Sequence, residues 1–247
     1  MNNQQKIFSP NGKNVSTVIT PNKALVKMMA GVLLSWLLVA VLVFGGAGRL
    51  DWGLGWLFVA LWGLLKLVFI LLLRWHDPEL MVERASRHEN TQPYERPIIP
   101  MYFVLSFGTI LVAGLDGGRF RWSGEIPAIL IVIAYVIYLF GNGLASWAVS
   151  ANPFFSSESR LQMDRGQKVT HSGPYRFVRH PAYLATILLW PVTGLLLESW
   201  LAVIPGFLAA LTMLIRTVFE DRMLQTDLPG YAEYAQQVRY RLFPGIW

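Results

Sequence analysis

Four apolar runs dominate this chain: residues 24–45, 53–73, 98–115 and 126–149. Each falls in the range of about 17–25 residues that an α-helix needs to cross a hydrocarbon core. Lipid offers the backbone no hydrogen-bond partners, so spans of this kind must bond internally as helices. A fifth run, 182–219, is too long for one span and is interrupted by Glu198 and Ser199. It reads as two helices joined by a tight turn, the first of them short, with Pro191 and Pro205 placed to kink the pair. The expected fold is an all-α integral membrane protein of about six transmembrane helices, the last two a helical hairpin.

The polar segments give the chain a direction. If the spans alternate, seventeen of the 21 basic residues fall on one side, in the N-terminal segment through Lys27, segments 74–97 and 150–181, and the C-terminal part. Only Arg49, Arg119 and Arg121 fall on the other, and Lys66 lies within the second span, about two turns from its end and close enough to snorkel. Such an excess marks the cytoplasmic side, so both termini are expected there in a multi-pass protein of the cell or inner membrane. The net charge of +6 therefore records orientation rather than a nucleic-acid partner. The 15% of charged residues is below the roughly 25% usual for soluble domains. With no cysteine, disulfides, thiolate metal sites and cysteine nucleophiles are all excluded.

Three stretches organise the chain: a mobile leader over 1–23, transmembrane helices over 24–150, and a C-terminal region over 151–247, the whole forming one membrane domain. The first apolar run exceeds the roughly 7–15 residues of a signal-peptide core and follows a long polar leader, which predicts an uncleaved anchor. Past Leu228, the residues Tyr231, Tyr234, Ala235, Val238 and Leu242 recur every three or four positions, predicting a C-terminal amphipathic helix with Asp227 and Pro229 as start signals.

Polar chemistry concentrates in two places on the basic side. In 173–183, Gly173-Pro174 marks a turn, and Pro181 fits the first position of the following helix. Arg179 and His180 thus sit where a loop enters a membrane helix, with backbone N–H groups free for an anion; Tyr, Arg and His are also ordinary residues of a membrane boundary. Arg216 and Glu220 share one face of the last span at i and i+4. Ionisable groups there face a protein interior or a wet cavity, or form a snorkelling pair. Asp221 and Arg222 are expected to begin the exit into water, and Glu198 to mark the far turn of the hairpin. His76, His88, His171 and His180 lack zinc-ligand spacing, so no metal is expected, and neither a G-x-G-x-x-G nor a Walker A sequence occurs.

Taken in order, Gly173-Pro174-Tyr175, Arg179-His180-Pro181-Ala182-Tyr183, Arg216, Glu220 and Gly230-Tyr231-x-x-Tyr234 resemble the isoprenylcysteine carboxyl methyltransferase family, itself related to membrane phospholipid N-methyltransferases. The resemblance covers about residue 152 to the C-terminus and implies an enzyme using S-adenosylmethionine. By position the cofactor would contact Gln162, Gln167, Lys168, Val169, Thr170, Tyr175, His180, Pro181, Ala182, Tyr183 and Glu220, while Arg216 corresponds to the position associated with the methyl acceptor. Arg216, Glu220 and His180 are thereby the implied catalytic residues. The partners implied are a lipophilic or lipid-modified acceptor (a carboxylate, amine or hydroxyl) at the cytoplasmic leaflet, together with membrane lipids. Prenylcysteine-directed members often carry a run of glutamates where this chain has Val218-Phe219-Glu220-Asp221, which puts that particular acceptor in question. Two other readings remain: a sterol-type membrane reductase using NADPH, and a non-enzymatic transporter or scaffold, disfavoured because transporter sites usually sit near mid-membrane.

Overall fold

The computed structural model describes residues 20–86 and 91–247. Most of the expected leader, together with Arg87 and His88, lies outside them.

Helix α1 (Pro21–Ala47) starts where the Thr20 hydroxyl accepts the Lys23 N–H at 3.4 Å with proline in first position, and stops at Gly48, whose φ of 65° turns its N–H back to the Phe44 carbonyl. Helix α2 (Gly53–His76) ends at Asp77. The Asp77 carboxylate immediately caps the short α3 (Pro78–Ala85) through the Leu80 N–H at 2.8 Å. Helix α4 (Glu95–Ala113) runs on as a π-helical turn, Gly114–Phe120. Then follow α5 (Ala128–Ala151), α6 (Pro181–Leu196), α7 (Val203–Asp227) and the short α8 (Tyr231–Gln237).

Five helices are long and apolar enough to span a membrane: α1, α2, α4 with its π turn, α5 and α7. The sixth expected span is α6, only 16 residues or about 24 Å, the short arm of the α6–α7 hairpin. Pro191 lies inside α6, whereas Pro205 sits in the first turn of α7, where a missing N–H costs nothing.

The six long helices close a ring in the order α5, α6, α7, α4, α1, α2, with α2 returning to α5. Its centre is filled by residues such as Val39, Val43, Phe58, Ile110, Tyr138 and Leu196, while Leu34, Val41, Val104 and Val136 face outward as an apolar coat. The hairpin packs closely because Gly206 carries no Cβ: one built there would lie 2.4 Å from the Trp190 carbonyl oxygen.

Polar groups collect at the two ends of the ring. At one, the Ser199 and Ser123 hydroxyls donate to buried Asp116, and the Trp52 indole donates to Glu198 at 3.3 Å beside the hairpin turn. At the other, the 77–95 segment, the 152–180 loop and the C-terminal tail converge: Arg160 pairs with Glu83, and the Gln92 N–H donates to the Ser159 carbonyl. The basic-rich segments thus share one end, as alternation requires.

Helix α8 is shorter than the apolar spacing predicts. It ends at Gln237, and Val238 and Leu242 fall beyond it. The tail instead turns so that the Tyr240 and Arg241 carbonyls accept the Arg179 and His180 N–H groups at 3.0 and 2.9 Å, bracing the loop that enters α6.

Candidate functional site

The braced loop, the start of α6, the end of α7, the 152–160 segment and α8 enclose a cleft whose space, open mouth included, is about 760 Å³. Of the residues singled out from the sequence, Gln167, Lys168, Val169, Thr170, Tyr175, His180, Ala182, Tyr183 and Glu220 line it. Gln162, Pro181 and Arg216 stand behind its walls.

Gln162 is buried and serves the loop itself. Its Nε2 donates to the Phe154 carbonyl at 2.6 Å, its Oε1 accepts from Arg165, and its N–H donates to Gln167 Oε1 at 2.6 Å. Pro181 shapes the entry to α6 rather than facing the cleft. Tyr175 is fixed from both ends, its hydroxyl beside Asn152 and its carbonyl accepting the Tyr234 hydroxyl at 2.7 Å. Burial pushes the Tyr175 and Tyr234 phenols above their ordinary pKa.

Glu220 is the carboxylate of the cleft. Its Oε2 accepts from the Tyr183 hydroxyl at 2.6 Å and from the Ser159 hydroxyl. Its Oε1 has no hydrogen-bond partner among the described residues, yet it is not sealed from the cleft. The Tyr183 ring lies flat against the His180 imidazole (centroids 5.7 Å apart), and the Arg216 guanidinium stands 5.1 Å over the Tyr183 ring from behind. The Arg216 fork is itself closed on Glu95: Nε and Nη2 donate to the two carboxylate oxygens at 2.7 and 3.0 Å, and Nη2 also donates to the Ser157 carbonyl at 3.0 Å. Glu95 is buried too, at 3% exposure.

Asp221 corrects an expectation. Instead of starting the exit into water, it has no exposed surface and is the hub behind the cleft. One residue along α7 rotates the side chain by about 100°, from the cleft toward the tail. There it accepts from Arg179 Nε and Nη2 (2.8 and 3.1 Å), Arg241 Nε (2.8 Å), the Tyr231 hydroxyl (3.0 Å) and Gln225 Nε2 (2.7 Å), with His180 Nε2 at 3.2 Å. Burial first, and the Asp221 charge second, push the Tyr231 phenol well above its ordinary pKa. The same hub orients His180, because a ring nitrogen facing a carboxylate carries its proton there and leaves Nδ1 as the acceptor.

Sequence reasoning also passed over Asn152, Glu158, Ser159 and Arg160, all of which line the cleft. Their signal was present in the polar run 156–160, which follows immediately on an aromatic pair, Phe154-Phe155. Among the described residues no group of three His, Asp or Glu side chains is arranged to hold a metal ion.

The cleft suits a cationic, partly aromatic ligand. It offers a carboxylate oxygen without a partner among the described residues and the faces of Tyr183 and Phe155. The N–H groups expected to be free for an anion at the α6 start are instead spent on carbonyls, those of Arg179 and His180 on the tail and those of Tyr183 and Leu184 on His180. Residues 129–228 match the family model described as phospholipid methyltransferase. The match spans α5, the 152–180 loop, α6 and α7, which are most of the cleft's walls, and it bears out the kinship read from residues 179–183, Arg216 and Glu220. No curated protein matches the chain. The molecule is thus an integral membrane protein in which residues 129–228 match a methyltransferase family model.

Proposed function

We propose, with the phospholipid methyltransferase match over 129–228 as premise, that the cleft transfers a methyl group from S-adenosylmethionine to an amine carried by a lipophilic acceptor. The observation that carries this reading is Glu220: a carboxylate with an unbonded oxygen, held by Tyr183 and Ser159, inside the matched region and lining the cleft. Bound there, the donor supplies a methyl carbon already activated by a sulfonium. The protein's share is then alignment, water exclusion and charge matching. Glu220 attracts the positive end of the donor, while the 167–170 strip, Tyr175 and Tyr183, stacked on His180, line the rest of the cleft.

Arg216 bears on the acceptor class. A carboxylate acceptor would be gripped best by a free guanidinium edge, and the Nε/Nη2 edge of this one is closed on Glu95, with Nη2 also donating to the Ser157 carbonyl and only Nη1 left over. An amine needs instead a group to take its proton. His180 is placed for that: it lines the cleft and its Nε2 is held against Asp221, leaving Nδ1 as the acceptor. The seventeen basic residues expected on one side support a cleft at the cytoplasmic leaflet, where the donor is soluble.

The test is product chemistry. Protein in nanodiscs is given donor labelled in its methyl group, with phosphatidylethanolamine in one sample and a prenylcysteine in another. The expected label is in the amine lipid and survives mild base. Label that is released by base as methanol, or that appears only with the prenylcysteine, would overturn the amine assignment.

A further inference from the structure

On the outer side of Phe155, away from the cleft, α3 lays a second group of cations against α1 and α2. The Arg84 guanidinium stands 5.1 Å from the Phe155 ring centroid and 5.8 Å from that of Phe69 on α2. Its Nε and Nη1 are sealed from solvent and have no hydrogen-bond partner. Lys66 lies three residues before Phe69, on the same face of α2. Its ammonium makes no hydrogen bond, sits 5.8 Å over the Trp62 ring and is close enough to feel the charge of Arg84. Lys27 of α1 adds a third cation, donating to the Ala85 carbonyl at the end of α3.

Among the described residues no carboxylate answers these charges. Glu83 is turned to Arg160 and stands 3.9 Å from Arg165, and Asp77 is spent capping Leu80. Burial lowers Arg84 only to about 10, so it is charged at neutral pH. Two cations drawn out of water beside one another, with no anion among the described residues, are unfavourable, and an anionic ligand between them would relieve that cost. The corner around them is apolar, built from Leu25, Met28, Phe69 and Leu73, and Trp75 at the end of α2 is 84% exposed, as an interfacial aromatic would be. Basic pockets between membrane helices on the positive side characteristically take anionic lipid headgroups.

We infer that Arg84 and Lys66, in the corner between α1, α2 and α3, seat the phosphate of an anionic glycerophospholipid at a site separated by Phe155 from the methyl-transfer cleft. The reachable ends of the pair, Arg84 Nη2 and Lys66 Nζ, donate to the phosphate oxygens, while the acyl chains lie along the apolar outer face of α2. The site is independent of the methyl-transfer reading, since its cations, Arg84 and Lys66, do not line the cleft and only the Phe155 ring is shared between the two. Its role is to anchor α3, and through Phe155 the outer wall of the cleft.

The test uses the full chain, delipidated in a maltoside detergent. Thermal unfolding is followed during titration with dioctanoyl phosphatidylglycerol, with dioctanoyl phosphatidylcholine and with inorganic phosphate. Wild type should be stabilised by the phosphatidylglycerol and by neither of the others. Lys66→Met/Arg84→Gln should need about tenfold more phosphatidylglycerol for half the effect, the loss expected from removing charge-assisted hydrogen bonds. Should the double variant not fold, Arg84→Gln alone carries the same comparison, and native mass spectrometry of wild type should show phosphatidylglycerol retained. An unchanged response in the variants would overturn the site. An equal response to phosphatidylcholine would overturn its anion selectivity, and an equal response to inorganic phosphate would overturn the lipid as its occupant.

Discussion

Asp221→Asn is the substitution whose consequence the structure constrains most tightly. The side chain keeps its shape, so no cavity opens and every partner remains within reach; what changes is charge and donor pattern. One carboxylate now neutralises the buried Arg179 fork, the Arg241 guanidinium, and His180 when that ring is protonated. An amide in its place presents an N–H₂ group to at least one of those donors and leaves Arg179, only 7% exposed, without its counter-charge. Breaking a buried pair by removing one partner costs about 3–5 kcal/mol. For a chain of this size each kcal/mol corresponds to roughly 2–4 °C in Tm, so the midpoint should fall by about 6–20 °C. Tryptophan fluorescence during heating in detergent measures it. Asp227→Asn, at an exposed position that ends α7, serves as the control and should move the midpoint little. A loss below about 1 kcal/mol in Asp221→Asn would refute the hub, since it would mean that the Arg179 charge is not desolvated there.

Two further outcomes follow from the same geometry. Glu95→Gln should destabilise by about 3–5 kcal/mol, whereas the apolar double variant Glu95→Leu/Arg216→Met should cost less than that single change, because it strands no buried charge; chemical denaturation of both variants decides it, and additive losses would contradict the pair. Tyr231 is held above its ordinary pKa, so the folded chain keeps this proton when the unfolded chain, titrating near about pH 10, has lost it. Its contribution is therefore complete below about pH 10 and declines as pH rises beyond, and Tyr231→Phe should show a shallower alkaline loss of stability than wild type. Parallel pH profiles would show that the phenol is not shielded.

The spans and the hairpin were legible because the bilayer fixes helix length and forbids charge, a constraint that acts locally on runs of about 20 residues. The cleft lining was legible through the resemblance, which carried Gln167, Lys168, Tyr175, His180, Tyr183 and Glu220 to one place. Asp221 was not. Its neighbour Arg222 is exposed, and nothing local distinguishes the two, because the partners that bury Asp221 are Arg179, 42 residues before it, and Arg241, 20 after. Glu95 was missed for the same reason, lying 121 residues from the fork it closes. The truncated α8 shows a third limit: a helical apolar rhythm past Gln237 also suits a tail that folds back to give its carbonyls to Arg179 and His180. Helix periodicity records which residues are buried, not what buries them.

Calorimetric titration of S-adenosylmethionine into the detergent-purified protein, wild type against Glu220→Gln, bears most directly on the proposed cleft. Wild type should bind, and the variant, isosteric but without the charge, should fold normally and lose about tenfold or more in affinity. A properly folded Glu220→Gln that binds the donor as tightly as wild type would contradict the assignment.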